Sequence, residues 1–226
     1  MISKFGNART NIKRSQNTGV ESMFEVEKLQ FNIQARSMLI SGDINEETLE
    51  EVYYFTTTLA VQEDGDPAII YISSGGGNIA ECRAILDIIN SDDNIKGLVA
   101  IGEVCSAAAM IFSMFTKKRI IGSNSLLMFH KPIWEDRECK TAEDFKAWAE
   151  YLQLDESWLL DTITQRCGVE TGEFLETKLT EPHFWLTATE AVDWNFADLV
   201  LSSPKEVKEE ERDRHPIDND TEIGKD

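Results

Sequence analysis

The sequence predicts an α/β fold, with helices covering a layered β-sheet core, and three observations carry that prediction. Two apolar runs, Ala68–Ile72 and Ile95–Ile101, are nearly continuous, the texture of parallel strands buried on both faces. Between them, apolar residues recur at helical spacing: Ile79, Cys82, Ile85, Leu86 and Ile89. Strand and helix signals then alternate along the chain, which calls for right-handed crossovers within one sheet.

Each element has its own reason. Met38-Leu39-Ile40 reads as a short strand ending at Gly42. Asn45 offers a cap to a helix over Glu46–Gln62, whose Leu49, Val52, Tyr53, Leu59 and Ala60 form one apolar face. Gly65-Asp66-Pro67 breaks that helix before the strand at Ala68. A helix over Ile79–Asn90, the strand Ile95–Ile101 and a helix over Ser106–Phe115 follow. Arg119–Ile121 and Leu126–Phe129 are two more short strands. Beyond Pro132 the texture changes. Thr141–Gln165 is a helical pattern rich in Trp, Leu and Glu, longer than a crossover needs, and is expected to project from the core. Its Trp148 and Trp158 are read as packing or interface residues. Thr187-Ala188-Thr189-Glu190 is a capping box opening a helix through Trp194, and Leu199-Val200-Leu201 a last strand.

Composition narrows the function. The formal charge is −19, from 22 basic and 41 acidic residues, which argues against nucleic acid as a partner. Residues 1–22 set Lys4, Arg9, Lys13 and Arg14 against Glu21, a net of +3, whereas 204–226 hold five basic and nine acidic residues, a net of −4. Both ends lack apolar periodicity, so the expected organisation is a flexible segment 1–22, a folded domain 23–203 and an acidic, disordered tail 204–226. No apolar run approaches the roughly 18 residues of a membrane span, and the N-terminus has no signal-peptide core. A cytoplasmic protein without a membrane partner is expected. The four cysteines, 82, 105, 139 and 167, form no C-x-x-C pair and read as buried free thiols. No cluster has ligand spacing for a metal, and no cofactor is expected.

The chemistry gathers around three motifs. Ser73-Ser74-Gly75-Gly76-Gly77 follows an apolar strand; Gly102-Glu103-Val104-Cys105-Ser106 leads into the small residues Ala107-Ala108-Ala109; and Met128-Phe129-His130-Lys131-Pro132 ends another strand. A glycine loop, a serine at a helix start and a histidine at a strand end are the parts of a serine hydrolase. The glycines admit backbone N–H groups to an oxyanion, the serine attacks, and the histidine takes its proton. The glycines also suit a phosphate cradle, but no G-K-[ST] follows.

These segments resemble the ClpP family, the proteolytic subunit of the Clp protease in the wider ClpP/crotonase superfamily. The glycine loop is similar to its I-N-S-P-G-G, Gly102–Ala109 to its G-x-A-x-S-M-(G/A)-A, and Met128–Pro132 to its M-I-H-Q-P. Leu186–Val192 with Asp198-Leu199-Val200 is similar to the family's closing motif. The likeness spans residues 36–202, in order and with the family's spacing. It implies a core of repeated β-β-α units with a projecting helical handle over about 135–178. It implies Ser106 as nucleophile, His130 as general base, and the N–H groups of Gly77 and Ala107 as an oxyanion hole. It further implies a homo-oligomer, a heptameric ring or stacked double ring, cleaving peptides or unfolded chains delivered by an AAA+ unfoldase.

The departures are specific. Gly75 replaces the loop proline, and Ala107 replaces the methionine after the nucleophile. Counting back from Trp185, the third triad position, an aspartate in the family, is His183. A neutral histidine there accepts the Nδ1–H of His130 but stabilises the imidazolium less than a carboxylate. Glu181, two residues earlier, is a stiffly tethered substitute. The expectation is therefore a serine endopeptidase with a weakened Ser-His-His triad. The alternatives are an inactive structural subunit paired with a paralogous one in a mixed ring, or a phage-type head-maturation protease. A crotonase-like acyl-CoA enzyme lacks its carboxylates here. A peptidase with a lysine base would draw on Lys117 or Lys118.

Overall fold

A computed structural model describes residues 31–62, 65–133 and 140–201; the expected terminal segments, and Cys139, lie outside them. The described elements are β1 (Phe31–Asn32), β2 (Ser37–Ile44), α1 (Glu46–Ala60), β3 (Ala68–Gly77), α2 (Ile79–Ser91), β4 (Ile95–Cys105) and α3 (Ala107–Met114). They continue with β5 (Lys118–Gly122), β6 (Leu126–Phe129), α4 (Ala142–Cys167), α5 (Val169–Lys178), β7 (Phe184–Thr187), α6 (Ala188–Asp193) and β8 (Leu199–Leu201).

The two apolar runs lie at the centre of the sheet, whose order is β1-β2-β3-β4-β5-β8. Strands β2 to β5 and β8 are mutually parallel. Strand β4 is shared between two layers. Gly97–Ala100 pair with β5, while Glu103–Cys105 pair with β6, which pairs antiparallel with β7. The bend falls at Gly102, whose φ of 65° a side chain would oppose. Register shifts kink β2 between Ser41 and Asp43, and β3 between Ile72 and Ser74. Each long strand thus supplies both β segments of a β-β-α unit, and only in the fourth unit are they separate, as β5 and β6. This is the ClpP-like α/β architecture.

Helix ends follow their local chemistry. Asn45 caps α1 by accepting from the Thr48 N–H at 3.1 Å. Thr187 and Glu190 close the expected capping box of α6, and Thr141 with Asp144 makes a second one at α4. All eight residues of α3 are buried, as befits a helix apolar on every side.

Helix α4 behaves differently along its length. Its 26 residues span about 39 Å at 1.5 Å per residue. Residues 142–154 include none that is buried; Asp155, Leu159, Ile163 and Cys167 then face the core. Asp155 meets Arg83 of α2 at 2.7 Å, and that guanidinium lies 4.4 Å from the Trp158 ring centroid. At the far end, Arg119 is fully buried yet well partnered. It donates to Asp198 at 2.6 Å, to the Ser113 carbonyl at 2.8 Å, to Asn195 at 3.1 Å and to Cys167 Sγ at 3.1 Å. These bonds tie α4 and α6 to the sheet. Gly168 divides α4 from α5, just past the Gln165 end of the helical pattern read from the sequence.

Among the described residues no helix is long and apolar enough to cross a membrane.

Candidate active site

Ser106 follows the last residue of β4 and precedes the first of α3. The sequence pattern places it in the helix, but its backbone is at φ 54°, ψ −125°, conformationally costly for a residue with a Cβ. Its amide is bonded to the Met128 carbonyl of β6 at 2.8 Å, which fixes the turn against the neighbouring strand. A serine before a helix ordinarily caps it; here the side chain makes no capping bond, leaving the hydroxyl for other work. The N–H of Ala107 heads α3, where first-turn donors have no partner within the helix.

Beside it, a Cβ built on Gly76 would stand 2.6 Å from the Ser106 Cβ and 3.1 Å from the Ala107 nitrogen. The glycine keeps clear the space in front of the serine. A Cβ on Gly77 would run into the Ile44 main chain, so that glycine answers to β2 as well. Ser74 braces the loop: its hydroxyl donates to the Gly42 carbonyl at 2.6 Å and accepts from the Gly76 N–H at 3.1 Å. Both residues belong to the glycine motif read from the sequence, but the motif gives neither a role of its own, because what they do depends on backbone distant in the chain.

His130 is the first residue beyond β6. Cys105 is opposite Met128, and Phe129 is opposite Phe184, so the register carries Ser106, His130 and His183 to one end of β4, β6 and β7. The sequence motifs carry no sign of β7 as a strand; antiparallel pairing with β6 makes it one. The two imidazoles meet edge to face, with centroids 6.0 Å apart and planes at 80°. Nδ1 of His130 does not point to His183: it lies 2.6 Å from the Lys131 carbonyl oxygen. A carbonyl only accepts, so this contact calls for a proton on Nδ1. A cavity of about 460 Å³ opens here, lined by His130, Lys131, Ile133, Glu181 and His183 among others.

Rival nucleophiles and bases are poorly placed. Burial, reinforced by Glu103, pushes the Cys105 thiol up and keeps it protonated. Cys82, Cys105 and Cys167 are all free and buried. Lys117 is held by the Asp92 carbonyl at 2.6 Å, beside the start of β4 and a strand's length from Ser106. Lys118, opposite Gly97 at the start of β5, is as far along the sheet from Ser106, so neither lysine is placed as its base. Among the described residues no group of three His, Cys, Asp or Glu side chains is gathered to hold a metal.

Residues 22–204 match the Clp protease family model. The ATP-dependent Clp protease proteolytic subunit 2 of Gluconobacter oxydans is 29% identical over 178 residues, covering 76% of this chain and 77% of the relative. The proteolytic subunit of Ligilactobacillus salivarius is 26% identical, covering 76% and 86%. Subunit 2 of Treponema denticola is 26% identical over 182 residues, covering 80% and 89%.

Proposed function

The chain belongs to the Clp protease family, and from that premise we propose that it is a serine endopeptidase acting through Ser106 and His130. The observation that best supports this reading is the Ser106 turn, strained and with a hydroxyl not used to cap α3. In the proposed reaction, Nε2 of His130 takes the Ser106 proton as Oγ attacks the peptide carbonyl carbon. The oxyanion is held by the N–H groups of Ala107 and Gly77. His130 then gives the proton to the leaving amine, and a water, deprotonated by the same nitrogen, releases the acyl group and restores Ser106. His183 stands in the third triad position without the carboxylate that would stabilise the imidazolium, so the expected turnover is slow.

The relatives carry the words ATP-dependent in their names. For this chain we read the cleavage as cofactor-free, with ATP spent by an unfoldase partner. The working form is a ring of identical subunits, heptameric or doubly stacked, enclosing peptide or unfolded-protein substrate. The exposed Leu154 on α4 and Val169 on α5 support such an interface. Residues 1–22 and 204–226 are read as appendages to the folded domain, and the assembly as cytoplasmic.

A second reading, an inactive subunit in a mixed ring, is favoured by the edge-to-face His130–His183 contact, which brings a ring and no carboxylate to the imidazole. Fluorophosphonate labelling with intact-mass readout separates the two. An adduct lost in Ser106→Ala, and formed faster in His183→Asp, supports a weakened peptidase. No adduct on the native chain, with labelling gained in His183→Asp, supports the inactive subunit.

A further inference from the structure

We infer that the orienting group for His130 is the main-chain carbonyl of Lys131, held in place by Pro132 and by the Lys131–Glu156 ion pair, rather than a side chain at position 183. The inference rests on His130 being the general base. A base of this kind needs its proton on Nδ1, so that Nε2 faces the nucleophile. The Lys131 oxygen, 2.6 Å from Nδ1, enforces that tautomer by itself.

Two features keep that oxygen where it is. Lys131 precedes Pro132, and the proline ring confines the preceding residue to extended backbone, which restricts the direction of its carbonyl. The Lys131 side chain reaches across to α4 and pairs with Glu156 at 2.5 Å. Glu156 comes directly after Asp155, the residue by which α4 is anchored to Arg83. The histidine loop is therefore fastened to the point where α4 meets the core, and Glu156 is a positioning residue acting through Lys131. Among the described residues, the other charged or titratable groups lining the cleft are Glu181, paired with Lys178 at 3.3 Å, and His183, whose ring meets His130 side-on.

A carbonyl dipole fixes orientation but adds no negative charge. It would keep His130 competent after loss of the aspartate while leaving the imidazolium less stabilised. The pair is half-exposed, with side-chain exposures of 50% and 34%, so its contribution is modest and screened by salt.

The test uses the full chain with ¹⁵N-labelled histidine; the sequence holds three histidines, so substitution assigns the signals. Imidazole NMR is expected to show His130 protonated on Nδ1, with that pattern retained in His183→Ala. In Lys131→Ala and Glu156→Ala the protected Nδ1–H signal weakens, and the swap Lys131→Glu with Glu156→Lys restores it. Fluorophosphonate labelling of Ser106 should slow about threefold to tenfold in Glu156→Ala, recover in the swap, and lose the difference at high salt. A proton on Nε2 in the native chain, a tautomer switch in His183→Ala, or an Nδ1–H signal indifferent to Lys131 and Glu156 would overturn the inference. If Ser106 took no label at all, the peptidase reading would fail, while the imidazole spectrum would still decide the orientation.

Discussion

At the scale of single residues, the site depends on small side chains and on backbone more than on charge. Gly76 is the sharpest case. At φ 103°, with Ser106 Cβ 2.6 Å from where its own Cβ would be, it tolerates no side chain without movement at Ser106. Gly76→Ala is expected to cost about 1–3 kcal/mol in stability and about a hundredfold in labelling rate, since displacement of about 1 Å is felt at that level. Thermal unfolding and fluorophosphonate kinetics on the same protein check both; an unchanged labelling rate would remove Gly76 from the site. His183 is the converse case. It has the right place in the register but the wrong chemistry, and His183→Asp is expected to raise the labelling rate at least tenfold once a carboxylate faces the imidazole.

At the scale of elements, the Arg119–Asp198 pair joins β5 to the approach of β8 and, through Cys167 and Asn195, to α4 and α6. Burial pushes the Asp198 carboxyl up, but hydrogen bonds from the Arg119 side chain and amide, with the charges of Arg119 and Arg166, outweigh it and hold it below the ordinary carboxylate range. The folded state therefore favours the ionised form. Its contribution to stability is complete above the unfolded value, about 3.9, and fades as pH falls through the lower, folded one. Asp198→Ala leaves a fully buried guanidinium without its counter-charge and is expected to cost about 3 kcal/mol near neutral pH. Denaturant titrations at several pH values should show the gap between wild type and variant narrowing below about pH 4. A gap that stayed constant with pH would mean that the carboxylate charge is not what holds α4 and α6 to the sheet.

At the scale of the whole molecule, a formal charge of −19 opposes self-assembly, while Leu154, 66% exposed on α4, favours it. Native mass spectrometry and sedimentation should show the assembled fraction rising with ionic strength as the repulsion is screened. Leu154→Glu adds a charge and removes the apolar contact, and is expected to weaken assembly by at least tenfold. An assembly indifferent to both changes would place the subunit interface elsewhere.

Much of this was legible in one dimension. The apolar run Ile95–Ile101 specifies a parallel strand buried on both faces over Gly97–Ala100. Ala68–Ile72 instead forms a parallel strand that alternates, Ala68, Ile70 and Ile72 buried and Tyr71 39% exposed, so only one of its faces is fully covered within the subunit. Asn45 and Thr187 mark helix starts because their side chains satisfy amides a few residues away, a relation that sequence spacing encodes. Ser106 and His130 are recognisable from residue type and motif. What the chain alone could not display is everything made by backbone at long range. The branching of β4 between β5 and β6, the conversion of 184–187 into a strand, and the clearance at Gly76 follow from pairing between distant segments. So does the turn of the His130 ring toward the Lys131 carbonyl rather than His183. Every residue carries the same carbonyl, and only the folded path of the chain decides which one a side chain meets.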